Sequence, residues 1–139
     1  MPFAIRFMLL FLFKMTISLA LSRGGKVTDE LLRKVLDSPI LVIVGAPIFE
    51  ELLFRYLPIY FGATSIFDWS MMISSLLFAL AHMPNYREGH LLQFFKFVVI
   101  SCIYAWVALN WGIVYAFLMH MMNNAFAYLV LAWNRHELT

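Results

Sequence analysis

Three short clusters in an otherwise apolar chain carry groups that give or take protons. Glu50 and Glu51 are adjacent, with Arg55 four residues beyond Glu51; His82 follows Phe78 by four residues; Asn124 follows His120 by four. A carboxylate and an imidazole can together draw a proton from water, and imidazole and amide N–H groups suit a developing oxyanion. Each i, i+4 pair shares one helix face. Glu51 can therefore neutralise Arg55 while Glu50, about 100° round the helix, is free for another partner. The plainer alternative is that Glu50, Glu51 and Arg55 form one neutralising cluster that fixes packing, with His120 and Asn124 as interhelical glue worth about 0.6 kcal/mol per contact. Their setting favours chemistry. An ionisable group at the centre of a membrane helix costs about 2.5 to 3.5 kcal/mol on insertion scales, and such groups usually face the protein interior and serve a function.

The elements that must hold these groups follow from composition. The 139 residues are 63% hydrophobic and 13% charged, with a mean hydropathy of +0.83, more apolar than a soluble domain can hide. At about 20 residues per crossing of roughly 30 Å of hydrocarbon, there is room for about five spans. They are read as Phe3 to Leu21, Ile40 to Phe61, Asp68 to Met83, Leu91 to Leu109 and Gly112 to Trp133. No apolar–polar alternation suggests barrel strands, so the expected fold is all-α: one multi-pass transmembrane helical bundle, a single domain over residues 1–139. The formal charge of +2 is too small and scattered for nucleic acid. Lone Cys102 can close no internal disulfide and build no thiolate metal site, and reads as packing. The first apolar run, with Arg6 before it and Ser18 and Ala20 near its end, has signal-peptide features, but Lys14 interrupts it and a retained helix is preferred.

Between the first two spans, Ser22 to Ser38 is polar, with Gly24 and Gly25 as breakers and Thr28-Asp29-Glu30 positioned to cap a short surface helix. Asp68 is positioned to cap the third span, and Pro84 should stop it near Met83. Arg23, Lys26, Arg33 and Lys34 follow span one, Arg87 follows span three and Arg135 follows span five; Gly62 to Phe67 and the Asn110-Trp111 corner hold no Lys or Arg. The segments after spans one, three and five are thus expected on the cytoplasmic side, with Arg6 dissenting. Counted from the outer ends of their spans, Glu50, His82, His120 and Asn124 lie about 11, 14, 8 and 12 residues deep, or roughly 12 to 21 Å at 1.5 Å per residue. All four can converge.

The order Glu50-Glu51 with Arg55, Phe78 with His82, and His120 with Asn124, one span separating the last two pairs, resembles the CPBP family, also called Abi-like or CAAX-protease-like. The resemblance runs from about Pro39 to Trp133, and Ser-Ser-Leu-Leu-Phe-Ala-Leu-Ala-His, ending at His82, is close to the family's usual form. Tyr56 stands where the family usually has glycine after the arginine. The resemblance implies an intramembrane glutamic endopeptidase in which Glu50 and His82 activate a water, His120 and Asn124 stabilise the oxyanion, and Glu51, Arg55 and Phe78 support them. It implies a hydrophobic, lipidated or leader-peptide-type substrate, an integral position in a lipid bilayer such as the cell membrane, and no nucleic-acid partner.

Two other functions fit intramembrane Glu and His. One is a non-catalytic immunity or scaffolding protein of the same fold, which would not need all four of Glu50, His82, His120 and Asn124. The other is a proton-coupled or metal-ion transporter, disfavoured by few spans and no visible inverted repeat. No cofactor is expected. Zinc held by Glu50, His82 and His120 is the alternative, but the chain has no His-Glu-x-x-His run, and that site would consume the only candidate base and leave Asn124 unexplained.

The orientation is testable by substituted-cysteine labelling. A cysteine at position 87 should react with an impermeant reagent only from the cytoplasmic side, and labelling from outside alone would invert the assignment.

Overall fold

The structure, a computed structural model, describes residues 1–21, 26–86 and 88–136. Gly24, Gly25, Arg23 and Arg87 lie outside the described residues. Six helices follow one another: α1 Phe3–Leu21, α2 Asp29–Asp37, α3 over residues 41–60, α4 Trp69–His82, α5 His90–Trp111 and α6 Ile113–His136. There is no β-strand among the described residues, and the all-α bundle expected from the sequence is the fold observed. Helices α1, α5 and α6 as far as Trp133 are long and apolar enough to cross a membrane. The other two expected spans form helices of a different kind. α3 carries three charged residues, and the 14 residues of α4 extend only about 21 Å, short of a full hydrocarbon core.

The bundle is arranged around α5. Its buried face bears Gln93, Lys96, Ile100, Ser101, Tyr104, Ala105, Val107 and Ala108, a helical stripe, while Leu91, Leu92, Phe95, Val99 and Trp106 are exposed. Ile100, Tyr104, Val107 and Ala108 pack with Ala116 and Met119 of α6, and Phe7, Leu10 and Phe11 of α1 close over them. A second cluster joins Ala105 to Met71 of α4 and Ala63 of the α3–α4 connection. Polar side chains are thus gathered inside and large apolar ones turned outward, as a helix bundle in lipid requires.

Helix α3 is not a uniform α-helix. Residues Leu41–Gly45 and Leu52–Tyr56 are π-helical and flank the α-helical turn Ala46–Glu51 that carries Glu50 and Glu51. The Ala46 N–H reaches back five residues to Leu41, and the Leu57 N–H five residues to Leu52. Pro47 and Pro58 follow at once, and proline has no amide to donate. The Val42 carbonyl thereby loses the residue-47 amide that π spacing would supply, and the Phe54 carbonyl loses the residue-58 amide that α spacing would supply. Both are satisfied from outside the helix: Asn124 Nδ2 donates to Val42 O at 2.9 Å, and Ser74 Oγ to Phe54 O at 2.6 Å. Tyr56 is exposed and stacks on Tyr60 at 6.0 Å.

The short surface helix α2 begins as expected, with Thr28 Oγ accepting from the Leu31 amide at 3.2 Å. Asp68 departs from expectation. Its carboxylate makes no capping bond to α4 and instead accepts from the Thr64 and Ser65 amides at 2.6 and 2.8 Å. Those two amides hold its carboxyl below the usual carboxylate range. Pro84 ends α4 as foreseen, in the 3₁₀ turn Met83–Asn85. Beyond it Tyr86 bridges to Val27, and the Thr28 amide donates to Asn85 O at 2.9 Å. The α1–α2 and α4–α5 connections therefore share one end of the bundle. At the opposite end, the turn between α5 and α6 is Gly112 alone, at φ 99° and ψ 155°, a conformation essentially reserved for glycine.

Candidate active site

Four helices bring their polar groups to one point. The turn of α3 between the two π-helical segments projects Glu50 and Glu51 in different directions. Glu51 is buried and meets Arg55, likewise buried, at 3.6 Å (Oε2 to Nε), and its other oxygen lies 2.8 Å from His120 Nδ1. Glu50 faces both histidines: its Oε2 is 3.7 Å from His82 Nε2 and 3.5 Å from His120 Nε2. That oxygen is buried and has no hydrogen-bond partner among the described residues.

The outer nitrogen of each imidazole is tied down. His82 Nδ1 is 2.8 Å from the Phe78 carbonyl, which can only accept, so Nδ1 carries the hydrogen and donates. In a neutral His82, Nε2 then presents a lone pair toward Glu50. His120 Nδ1 is fixed by the Glu51 carboxylate in the same way. The rings are clamped by aromatics. His82 packs against Phe78 and Phe97, each with its centroid 4.4 Å away, and His120 stacks on Tyr104 at 4.7 Å with 22° between planes.

Arg55 forms the floor. Its Nη2 donates to Ser101 Oγ at 2.9 Å, and the guanidinium carbon lies 4.3 Å from the Phe78 centroid and 5.4 Å from that of Tyr104. Cation–π contact at these distances is worth about 2 kcal/mol or more when desolvated. Phe78 thus serves three neighbours: its carbonyl fixes His82, its ring carries Arg55, and its edge meets Phe54 at 5.5 Å.

Of the residues singled out from sequence, Glu50, Glu51, Arg55, Phe78, His82 and His120 lie in direct contact around this point. Asn124 is on the same helix one turn beyond His120, with its amide held between Val42 O and Asn123, whose Nδ2 donates to Asn124 Oδ1 at 3.2 Å. Tyr104, Ser101 and Phe97, all on α5, were not foreseen. A serine and two aromatics in an apolar helix carry no distinguishing signal until the helix is seen to run through the middle of the bundle. Beside the site Tyr86, whose phenol burial pushes up to about 12, accepts from Lys96 Nζ at 3.1 Å.

An apolar groove of about 280 Å³ runs between α3 and α4, lined by Leu53, Phe54, Leu57, Pro58, Ile73 and Leu77 among others. Phe54 joins it to the site through Phe78. Among the described residues, no group of three or more His, Cys, Asp or Glu side chains is arranged to hold a metal ion.

A family model described as type II CAAX prenyl endopeptidase Rce1-like matches residues 34–126, about two thirds of the chain, and the match includes both acids and both histidines of the site. No curated protein and no solved structure matches.

Arg55 is predicted to be the group whose loss costs most in folding. Arg55→Ala strands the buried Glu51 carboxylate, a change of about 3 to 5 kcal/mol for a buried pair, and should sharply lower the yield of folded protein in detergent. Glu50→Gln removes no ion-pair partner of Arg55 and should fold like wild type. Comparable yields of Arg55→Ala and wild type by size-exclusion chromatography would contradict this role.

Proposed function

The chain belongs to the Rce1-like family of type II CAAX prenyl endopeptidases, CAAX-protease-like hydrolases of the membrane, and from that membership we propose that it is an intramembrane endopeptidase using a glutamate-activated water. One observation carries this reading: two imidazole Nε2 atoms, each with its Nδ1 already engaged, face the same unpartnered Glu50 oxygen at 3.7 and 3.5 Å. Those separations exceed a direct hydrogen bond, yet a single water oxygen can reach both Glu50 and His82.

The proton inventory supports distinct roles. The substrate water gives one hydrogen to Glu50 Oε2 and the other to the lone pair on His82 Nε2. As its oxygen attacks the scissile carbonyl, Glu50 takes the proton and later returns it to the leaving amine. Arg55 balances Glu51, and His120, when it takes a second proton, balances Glu50, so that the four charges sum to zero. The His120 Nε2–H then donates to the oxyanion. Asn124 gives one amide hydrogen to Val42 and has a second for the same oxyanion.

The proposed route needs no metal, because a metal held by Glu50, His82 and His120 would occupy the oxygen and both nitrogens that the reaction uses. The groove between α3 and α4 supports a substrate with an apolar segment, of the lipidated, hydrophobic or leader-peptide type, presented within the cell membrane.

Peptide profiling of intact membranes, wild type against Glu50→Gln, tests the proposal. Loss of a general base typically costs 10²- to 10⁴-fold, so new N- and C-termini should vanish in Glu50→Gln while its unfolding profile stays that of wild type. Cleavage by wild type should survive exhaustive chelation. Equal cleavage by the two proteins would reduce the cluster to a packing role, and activity lost on chelation and restored by stoichiometric zinc would overturn the metal-free route.

A further inference from the structure

Helix α1 lies outside the residues matched by the family model, yet it reaches the site. Among its residues Lys14 alone is buried, fully, about halfway along the helix. An apolar helix docking by packing alone would bury leucine or phenylalanine there. The lysine ammonium instead donates to Asn123 Oδ1 and lies 5.3 Å from the centroid of Tyr104, the ring that stacks on His120. Lys14 thus contacts two residues that border the His120–Asn124 face of α6.

The direction of these bonds carries the argument. An ammonium has only donors, so Asn123 must turn its oxygen toward Lys14 and its Nδ2 toward Asn124. Asn124 must then accept through Oδ1, at 3.2 Å, and turn its own Nδ2 away as a donor, which reaches Val42 O at 2.9 Å. The Val42 carbonyl can only accept, so both ends of the relay impose the same direction, and Lys14 holds the Asn123 end of it.

We infer that Lys14 is a positioning residue that anchors, through Asn123, the relay holding the Asn124 amide in place beside His120, without touching substrate. Its kinetic consequence rests on the peptidase reading above; its structural consequence does not.

Protein carrying ¹⁵N only in asparagine separates the two. In Lys14→Met the side-chain amide signals of both Asn123 and Asn124 should move, with Asn110, which donates to Trp106 O on α5, as the unmoved reference. Asn123→Leu should displace the Asn124 signal from the other side, and Lys14→Arg, which keeps a donor-only cation, should leave it in place. In cleavage assays, Lys14→Met should lower kcat by about tenfold or more, as loss of a group that orients a catalytic residue does, with KM within about twofold. Adding Asn123→Leu to Lys14→Met should cost no more, because one relay has already been broken. An unmoved Asn124 signal in folded Lys14→Met or Asn123→Leu, or kcat losses that multiply in the double variant, would overturn the inference. If wild type cleaves nothing, the peptidase reading fails while the amide signals still decide the role of Lys14.

Discussion

Two carboxylates inside a bundle that turns its apolar side chains outward must be neutralised by the protein itself, and the Glu51–Arg55 pair is the interaction on which the remainder depends. Arg55 ties α3 to α5 through Ser101 and to α4 through the face of Phe78. With Glu51 held, His120 is fixed through Nδ1, and with Phe78 held, His82 is fixed through the carbonyl of the same residue. Both imidazoles then have one orientation, and Glu50 faces the pair. Removing the arginine would therefore do more than unpair a charge; it would release the residue that orients each ring.

A second constraint comes from the two prolines of α3. Each removes a backbone donor from a helix that has no water to replace it, and each is accommodated by a π-helical segment and a side chain from another helix. Asn124 and Ser74 supply those bonds, so the same prolines that interrupt α3 also staple it to α6 and α4. π-helical turns are common at functional sites, and here they bracket the two residues Glu50 and Glu51.

The bundle was legible in the sequence because continuous apolar runs in lipid leave helix as the one economical backbone solution. The pairs Glu51–Arg55 and Phe78–His82 were legible because i, i+4 spacing is a property of the helix itself. What the sequence concealed depends on contacts between helices. Nothing in one dimension says that Tyr104 faces His120, that Asn124 answers Val42, or that Asp68 bonds the preceding turn instead of α4. Lys14 was visible as an oddity in the first apolar run, but its partner lies 109 residues away and only packing brings them together. The short α4 and the charged α3 likewise read as ordinary spans by hydropathy, until the helix limits show that, among the described residues, three helices have the length and apolarity to cross.

The central claim is that Glu50 activates a water and does not itself attack the carbonyl. The two routes can leave oxygen in different places, since a nucleophilic carboxylate forms an acyl anhydride whose hydrolysis at the glutamyl carbonyl deposits solvent oxygen on the enzyme. A single turnover in H₂¹⁸O, with enzyme in excess over substrate, followed by mass spectrometry of both the product and the Glu50-containing peptide, reads this directly. The account predicts one ¹⁸O in the new C-terminal carboxylate of the product and none in Glu50; label in the Glu50 side chain would contradict it.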